Sequence, residues 1–321
     1  MRRMCAVVAA ILIFSSVHAQ DNAGRVPYGD NPAAGHSLRV DDANIYYETY
    51  GSGGTPLVLL HGGLYGYIEE FGELIGELSK HRRIIAIATR GHGKSDIGTK
   101  PFSYALFADD AFTVIRHETS EKVDVLGFSD GAVTSYILVS EHPELIRRLV
   151  AIGGPRKFTD WTPSAQVDQK NAKPSDVERD SPQFVSARKK LMPQPERWLE
   201  FNEKLKAMWE SPVYVTDDQI QSIKLPTLII AGDHDPYNQI AKFVELFQLC
   251  PKENWPSSPA AAMWCSIAKG NSLSQLLKPF SIRPGSEFHI SVRAELSPPT
   301  SNDCRKCRHY FSQIAVESRS D

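Results

Sequence analysis

The sequence predicts an α/β fold in which a mostly parallel sheet is covered by helices on both faces. Short apolar runs alternate with segments of helical periodicity between residues 57 and 152. Such alternation is typical of parallel strands joined by crossover helices. The chain has 321 residues, of which 41% are hydrophobic, and this supplies enough apolar side chains for a large core.

The order of the elements follows from these runs. Two antiparallel strands come first, and strands then alternate with helices. We predict strands at 37–40, 44–49, 57–60, 83–88, 123–127, 147–152 and 227–231, and helices at about 67–80, 103–117, 130–142 and 236–249.

The segment G-F-S-D-G at 127–131 joins a predicted strand to a predicted helix. Its serine, Ser129, has a glycine two residues away on each side. These glycines allow the strand and the helix to approach without a Cβ clash, so that the serine is held on a sharp turn. A turn of this kind presents a weak nucleophile to an acyl group. The pattern has only three fixed positions, so the neighbouring motifs decide its meaning.

Three further turns follow predicted strands. They are H-G-G at 61–63, R-G-H-G-K-S at 90–95 and G-D-H-D at 232–235. We interpret His61 as structural and His92 as a loop residue, rather than as bases. In the last motif Asp235 is the candidate catalytic acid, whereas Asp233 is expected to cap the turn.

The segment 155–222 differs in character from the alternating region. It is rich in charged residues and proline and contains amphipathic pieces, which predict a helical insertion after the sixth strand. Its large aromatic residues either line an acyl pocket or pack the core of the insertion itself; they are Trp161, Trp198, Phe201 and Trp209.

Together, the four motifs between residues 37 and 252 resemble the α/β-hydrolase family, in particular its esterases and proline-iminopeptidase-like members. The resemblance implies that Ser129 is the nucleophile, that Asp235 orients a catalytic histidine, and that the N–H groups of Gly63 and Asp130 stabilise the oxyanion. It also implies that 155–222 forms a helical cap over the active site. Family members usually carry aspartate where this chain has Ala88, and we expect that difference to affect local stability rather than chemistry.

The expected activity is acyl transfer on a small-molecule substrate, with no metal or organic cofactor. A catalytically inactive protein of the same fold is the alternative. Aminopeptidase and C–C hydrolase activity also stay open, because those enzymes share the triad. A haloalkane dehalogenase is disfavoured, since it needs a carboxylate at the position of Ser129.

The triad of this family closes with a histidine about 25 to 30 residues after the acid. That region has none, and the histidines that follow Asp235 are His289 and His309. His289 is the candidate base of the chain as written. Around residue 253 the periodicity fades, and Ser, Pro, Arg and Cys become frequent. We do not interpret C-R-K-C at 304–307 as a metal or redox motif, because no second cysteine pair or suitably spaced histidine set accompanies it.

A shifted reading frame accounts for this change. Each codon of the shifted frame, read two bases late from Asn254, spans two neighbouring codons of the given frame. The codon across Asn254 and Trp255 must then encode Leu, and the codon across Trp255 and Pro256 must encode Ala. The junctions from Met263 to Cys265 must both encode Val. The shifted frame permits L-A-I-I-P-G-S-G-H-V-V, which is a strand, a glycine turn and a histidine at the expected distance. We therefore predict a single-base frameshift near codons 252–254, so that 253–321 is an aberrant, disordered tail and the final strand and helix are missing. A genuinely divergent tail is the alternative.

The N-terminus has the pattern of a signal peptide over residues 1–19. Arg2 and Arg3 precede an apolar run from Cys5 to Phe14, and V-H-A at 17–19 is a cleavage pattern. We expect export to a bacterial periplasm or the medium, without stable membrane insertion; an uncleaved anchor is the alternative.

The formal net charge of −2 disfavours a nucleic-acid partner. The predicted domains are thus a core at 37–154 and 223–252, a cap at 155–222, and the tail.

Overall fold

The structure, a computed structural model, describes residues 26–64, 66–232 and 235–250, together with the backbones of three short segments at 264–268, 280–282 and 290–292. The strands are β1 (Gly35–Val40), β2 (Ala43–Tyr50), β3 (Leu57–Leu60), β4 (Ile84–Ile87), β5 (Val123–Phe128), β6 (Ile146–Ile152), β7 (Thr227–Gly232), β8 (Trp264–Ala268), β9 (Phe280–Ile282) and β10 (Ile290–Val292).

Eight of these strands form one sheet in the order β1-β2-β4-β3-β5-β6-β7-β8. β1 and β2 pair antiparallel, as do β2 and β4, and every other neighbouring pair is parallel. The predicted fold class is confirmed. The carboxyl ends of β5, β6 and β7 lie side by side, which brings the turns that follow them to one edge of the sheet.

Helices cover both faces of this sheet. They are α1 (Gly72–Leu78), α2 (Tyr104–Glu118), α3 (Asp130–Glu141), α4 (Pro163–Asn171), α5 (Asp176–Asp180), α6 (Pro182–Lys189), α7 (Trp198–Trp209), α8 (Asp217–Ser222) and α9 (Ile240–Leu249), with short 3₁₀ turns at 68–71, 158–160 and 195–197. α1 packs on one face with the alternate strand residues Leu57 and Leu59. α2 and α3 pack on the other, with Val58 and Leu60.

The insertion between β6 and β7 contains α4 to α8, and no strand is assigned within it. Its helices begin at side-chain caps where the sequence offers them. Thr162 accepts a hydrogen bond from Ala165 N at 3.2 Å, and Thr216 forms a capping box with Gln219. The buried guanidinium of Arg156, near the start of the insertion, pairs with Asp217 of α8 near its end and with Glu245 of α9, at 3.4 Å, outside it.

The structure differs from the sequence prediction beyond residue 252. β8 pairs in parallel with β7, from Leu228 opposite Trp264 to Gly232 opposite Ala268, so an eighth strand is present where we expected the final strand to be missing. β9 and β10 form a separate antiparallel pair. The physical reason is that the outer edge of β7 offers unpaired backbone groups, which a short segment such as W-C-S-I-A can satisfy. The remainder of 253–321 lies outside the described residues, so the predicted loss of the final helix stays a prediction. The predicted signal peptide at 1–19 also lies outside them.

No helix in the described part of the chain combines the length and the apolar composition needed to cross a bilayer.

Candidate active site

Ser129 lies between β5 and α3 in a backbone conformation that side chains rarely adopt, with φ 52° and ψ −115°. Its N–H donates to Ile152 O of β6 at 2.7 Å. Its C=O accepts the N–H groups of Ala132 and Val133, in the first turn of α3. These three hydrogen bonds hold the serine backbone in a strained conformation. Strain of this kind is concentrated at the functional sites of proteins. The side chain is partly exposed at the carboxyl edge of the sheet.

The two flanking glycines are required by close approach, as predicted. A Cβ on Gly127 would lie 2.3 Å from Gly131 O. A Cβ on Gly131 would lie 1.9 Å from Leu60 O, at the end of β3. Gly131 therefore brings the start of α3 against the end of β3, where the H-G-G turn begins.

His61 fixes the H-G-G turn and is unsuited to act as a base. It is 1% exposed. Its Nε2 accepts Thr89 N at 3.0 Å, so the proton resides on Nδ1, which lies 2.6 Å from Gly62 O. Burial lowers the pKa of His61 to about 4 and keeps the ring neutral. Gly62 C=O and Gly63 N–H belong to one planar peptide group. The hydrogen bond from His61 Nδ1 to Gly62 O therefore also fixes the direction of Gly63 N–H, the predicted oxyanion donor.

The Asp130 side chain lies directly beside this turn. A Cβ on Gly63 would be 2.0 Å from Asp130 Oδ2 and 2.8 Å from Cζ2 of Trp209. The carboxylate accepts the Tyr104 hydroxyl and the Trp209 indole N–H, each at 2.8 Å. Burial raises the pKa of Asp130 to about 6, and the two donors oppose that shift. The residues of both predicted oxyanion donors thus adjoin one another.

Asp235 lies just beyond β7. Its Oδ1 accepts the N–H groups of Tyr237 and Asn238 at 2.8 and 3.0 Å, and its Oδ2 accepts the Asn238 amide at 3.0 Å. A Cβ on Gly153 would be 4.0 Å from Oδ2. Burial raises its pKa, against these hydrogen bonds. Since Ser129 bonds to Ile152 and Asp235 lies next to Gly153, the predicted nucleophile and the predicted acid flank the end of β6. Asp233 and His234 fall outside the described residues.

No histidine in the described ranges is hydrogen-bonded to Ser129 Oγ or to the Asp235 carboxylate. His92 Nδ1 lies 3.0 Å from Arg90 O, and its ring packs edge-on against Phe201. Burial holds the pKa of His92 well below its usual range. His289 and His309 lie outside the described residues, so their candidacy stays a prediction.

The cap aromatics form two pairs, one buried against the core and one near the serine turn. Trp198 and Phe201 are buried and pack against one another, with ring centroids 5.6 Å apart. Phe201 also contacts Phe102, which precedes α2, so Trp198 and Phe201 pack the insertion against the core. Trp161 and Trp209 approach to 6.4 Å, and Trp209 contacts Asp130 next to the serine turn.

Among the described residues, Asp109, Glu141 and His142 have ligand atoms within 4.8 Å of one another. Glu141 and His142 lie at the end of α3 that is farther from Ser129, and Asp109 lies in the adjacent α2; the cluster has no role in the proposed chemistry.

Sequence reasoning did not identify Tyr104 or Asn238, whose side chains hold Asp130 and Asp235. Tyr104 opens a helix far from the serine in sequence, and no local pattern links it to Asp130. Asn238 gives a weak signal, because Asn is a frequent turn residue.

A model of the alpha/beta hydrolase fold matches residues 55–180. The chain is similar to a Haemophilus influenzae protein whose name places it with esterases and lipases, at 25% identity over 243 residues that span 70% of this chain and 83% of the relative. It is also similar to the serine hydrolase BPHL of Mus musculus, at 25% identity over 213 residues, 62% of this chain and 69% of the relative. A solved hydrolase from Pseudomonas aeruginosa PA01 has the same fold, with a TM-score of 0.57, 20% identity, and coverage of 78% of this chain and 95% of that one.

Proposed function

We propose that this chain, which is similar to α/β hydrolases in sequence and in fold, is a serine hydrolase acting on a carboxylic ester or a related small acyl compound. The observation that carries the proposal is the strained backbone of Ser129, at φ 52°, next to the residues of two oxyanion donors. Strain of this kind persists only where surrounding bonds enforce it, and here those bonds hold the hydroxyl at the sheet edge.

The proposed reaction passes through an acyl-enzyme. Ser129 Oγ attacks the carbonyl carbon while a histidine accepts the hydroxyl proton. The N–H groups of Gly63 and Asp130 stabilise the tetrahedral oxyanion, at about 3 kcal/mol for a donor. The histidine then protonates the leaving alcohol, water hydrolyses the acyl-enzyme, and Asp235 orients the imidazole throughout.

We further propose that the chain as written lacks the base, and that the shifted frame after residue 253 encodes it. Removal of one triad member lowers the rate by about 10⁴-fold or more. In support, no histidine stands 25 to 30 residues after Asp235 in the sequence. The same observation favours the second candidate, an inactive protein of this fold.

Hydrolysis of p-nitrophenyl butyrate by the full chain and by Ser129→Ala tests the proposal. We expect slow release of p-nitrophenolate in the full chain, and a lower rate in the variant. In a version whose reading frame is restored after residue 253, labelling by a fluorophosphonate, followed by peptide mass spectrometry, should mark Ser129. Release that is unaffected by Ser129→Ala, together with no labelling, would contradict the proposed chemistry.

We also propose that the protein is exported after removal of residues 1–19. N-terminal sequencing of the protein from a bacterial periplasm or medium should find Gln20 as the first residue. An intact Met1 on a membrane-bound product would instead support the uncleaved anchor.

A further inference from the structure

Trp209 connects the cap to the serine turn. It is the last residue of α7, and its indole Nε1–H donates to Asp130 Oδ2 at 2.8 Å. The same ring closes over the H-G-G turn, because a Cβ on Gly63 would be 2.8 Å from Trp209 Cζ2. One cap side chain therefore touches the residues of both proposed oxyanion donors.

The bond to Asp130 completes an arrangement that spans the cap and the core. Tyr104 of α2 donates to Oδ1 of the same carboxylate, at 2.8 Å. With one oxygen held by the core and the other by the cap, the Asp130 side chain has a single orientation. Asp130 is the first residue of α3. Its backbone N–H and its side chain are joined through the same Cα, so fixing the carboxylate also restricts the direction of the N–H.

We propose that Trp209 is a positioning residue that couples closure of the cap to the geometry of the oxyanion site. The inference rests on the proposed serine chemistry. When the cap is seated, the indole fixes Asp130 and covers Gly63. When the cap moves away, Asp130 loses one of its two donors, and the Gly63 side of the site is open to water. Electrostatic stabilisation of an oxyanion depends on donors that are held in advance and shielded from water.

Trp198 is the matched control. It lies in the same helix and is 3% exposed. Its Nε1 has no hydrogen-bond partner among the described residues. Trp198→Phe and Trp209→Phe therefore make the same chemical change in one helix, but only the second removes a hydrogen bond to Asp130.

The test uses the chain with its reading frame restored after residue 253, so that the base is present, and measures its affinity for 1-butylboronic acid. The boron forms a bond to Ser129 Oγ while the hydroxyl proton passes to the histidine or the buffer. The tetrahedral adduct places a boronate oxygen where the oxyanion would form, and binding needs no turnover. We expect Trp209→Phe to weaken binding about tenfold, as for loss of a hydrogen bond to a charged group, and Trp198→Phe to stay within about twofold. A double-mutant cycle with Asp130→Asn should show that the two effects are not additive.

A folded Trp209→Phe variant that binds the boronate as the parent does, or a fully additive cycle, would overturn the proposal. A second readout is independent of Ser129. Titration of the Asp130 carboxyl by carbon NMR should give a higher pKa in Trp209→Phe, because a donor to the carboxylate is lost, and no change in Trp198→Phe. If the frame-restored parent binds no boronate, the serine chemistry fails, and the titration alone then decides whether Trp209 holds Asp130. An unchanged pKa of Asp130 in Trp209→Phe refutes that link.

Discussion

Replacement of Ser129 by glycine should make the protein more stable while it removes the nucleophile. The serine backbone has φ 52° and ψ −115°, a region that suits glycine and strains a residue with a Cβ. Strain of this kind costs about 1 to 3 kcal/mol. A new glycine adds about 0.4 to 1 kcal/mol of conformational entropy to the unfolded chain. The difference leaves a net gain of about 1 kcal/mol.

Ser129→Ala is the matched comparison, because it also removes the hydroxyl but keeps the Cβ and the strain. Urea denaturation of both variants gives the free energies of unfolding, provided that their m-values agree. We expect Ser129→Gly to exceed Ser129→Ala by about 1 kcal/mol, or about 2 °C in Tm. An equal or lower stability of the glycine variant would refute the claim that this turn stores strain.

Three further predictions concern the same region and its support. Gly131→Ala should lower the free energy of unfolding by about 3 kcal/mol, because its Cβ would lie 1.9 Å from a backbone oxygen. Gly53→Ala is the control: nothing lies within 4 Å of its Cβ, and its positive φ should cost about 1 kcal/mol. Urea denaturation compares the two variants. The Asp130 pKa, raised to about 6, means that the folded state binds this proton more tightly than the unfolded state, so stability falls as pH rises from about 4 to about 6. Asp130→Asn should flatten that fall, and an unchanged slope would contradict the assignment. Asp110→Asn should destabilise by about 3 kcal/mol, because it removes a charged partner of the buried Arg90 guanidinium; a thermal melt close to the parent's would be inconsistent with that.

Local patterns predicted the sheet and the serine turn with small errors at the element ends. β3 occupies residues 57–60, as predicted, because a run of four apolar residues between turns has no competing structure. The helix after Asp235 begins at Ile240 rather than at 236, since Asp235 and Asn238 form a turn first. The spacing of Gly127 and Gly131 predicted the serine turn, because the clash that a Cβ would cause at either position depends on neighbouring elements of the chain.

Contacts between residues distant in the chain were beyond sequence reasoning. Arg90 pairs with Asp110 and Asp42, and Ser95 Oγ donates to Ala88 O, so other residues support the turn that lacks the family's aspartate. β8 was not expected either, because pairing with an open strand edge depends on where the chain returns and not on periodicity.

The most direct measurement of the central claim compares p-nitrophenyl butyrate hydrolysis by the full chain with that of a version whose reading frame is restored after residue 253. The account predicts that the restored chain is faster by about 10⁴-fold and that Ser129→Ala abolishes the gain. Comparable strong activity in the chain as written would contradict the missing base and would favour His289 in that role.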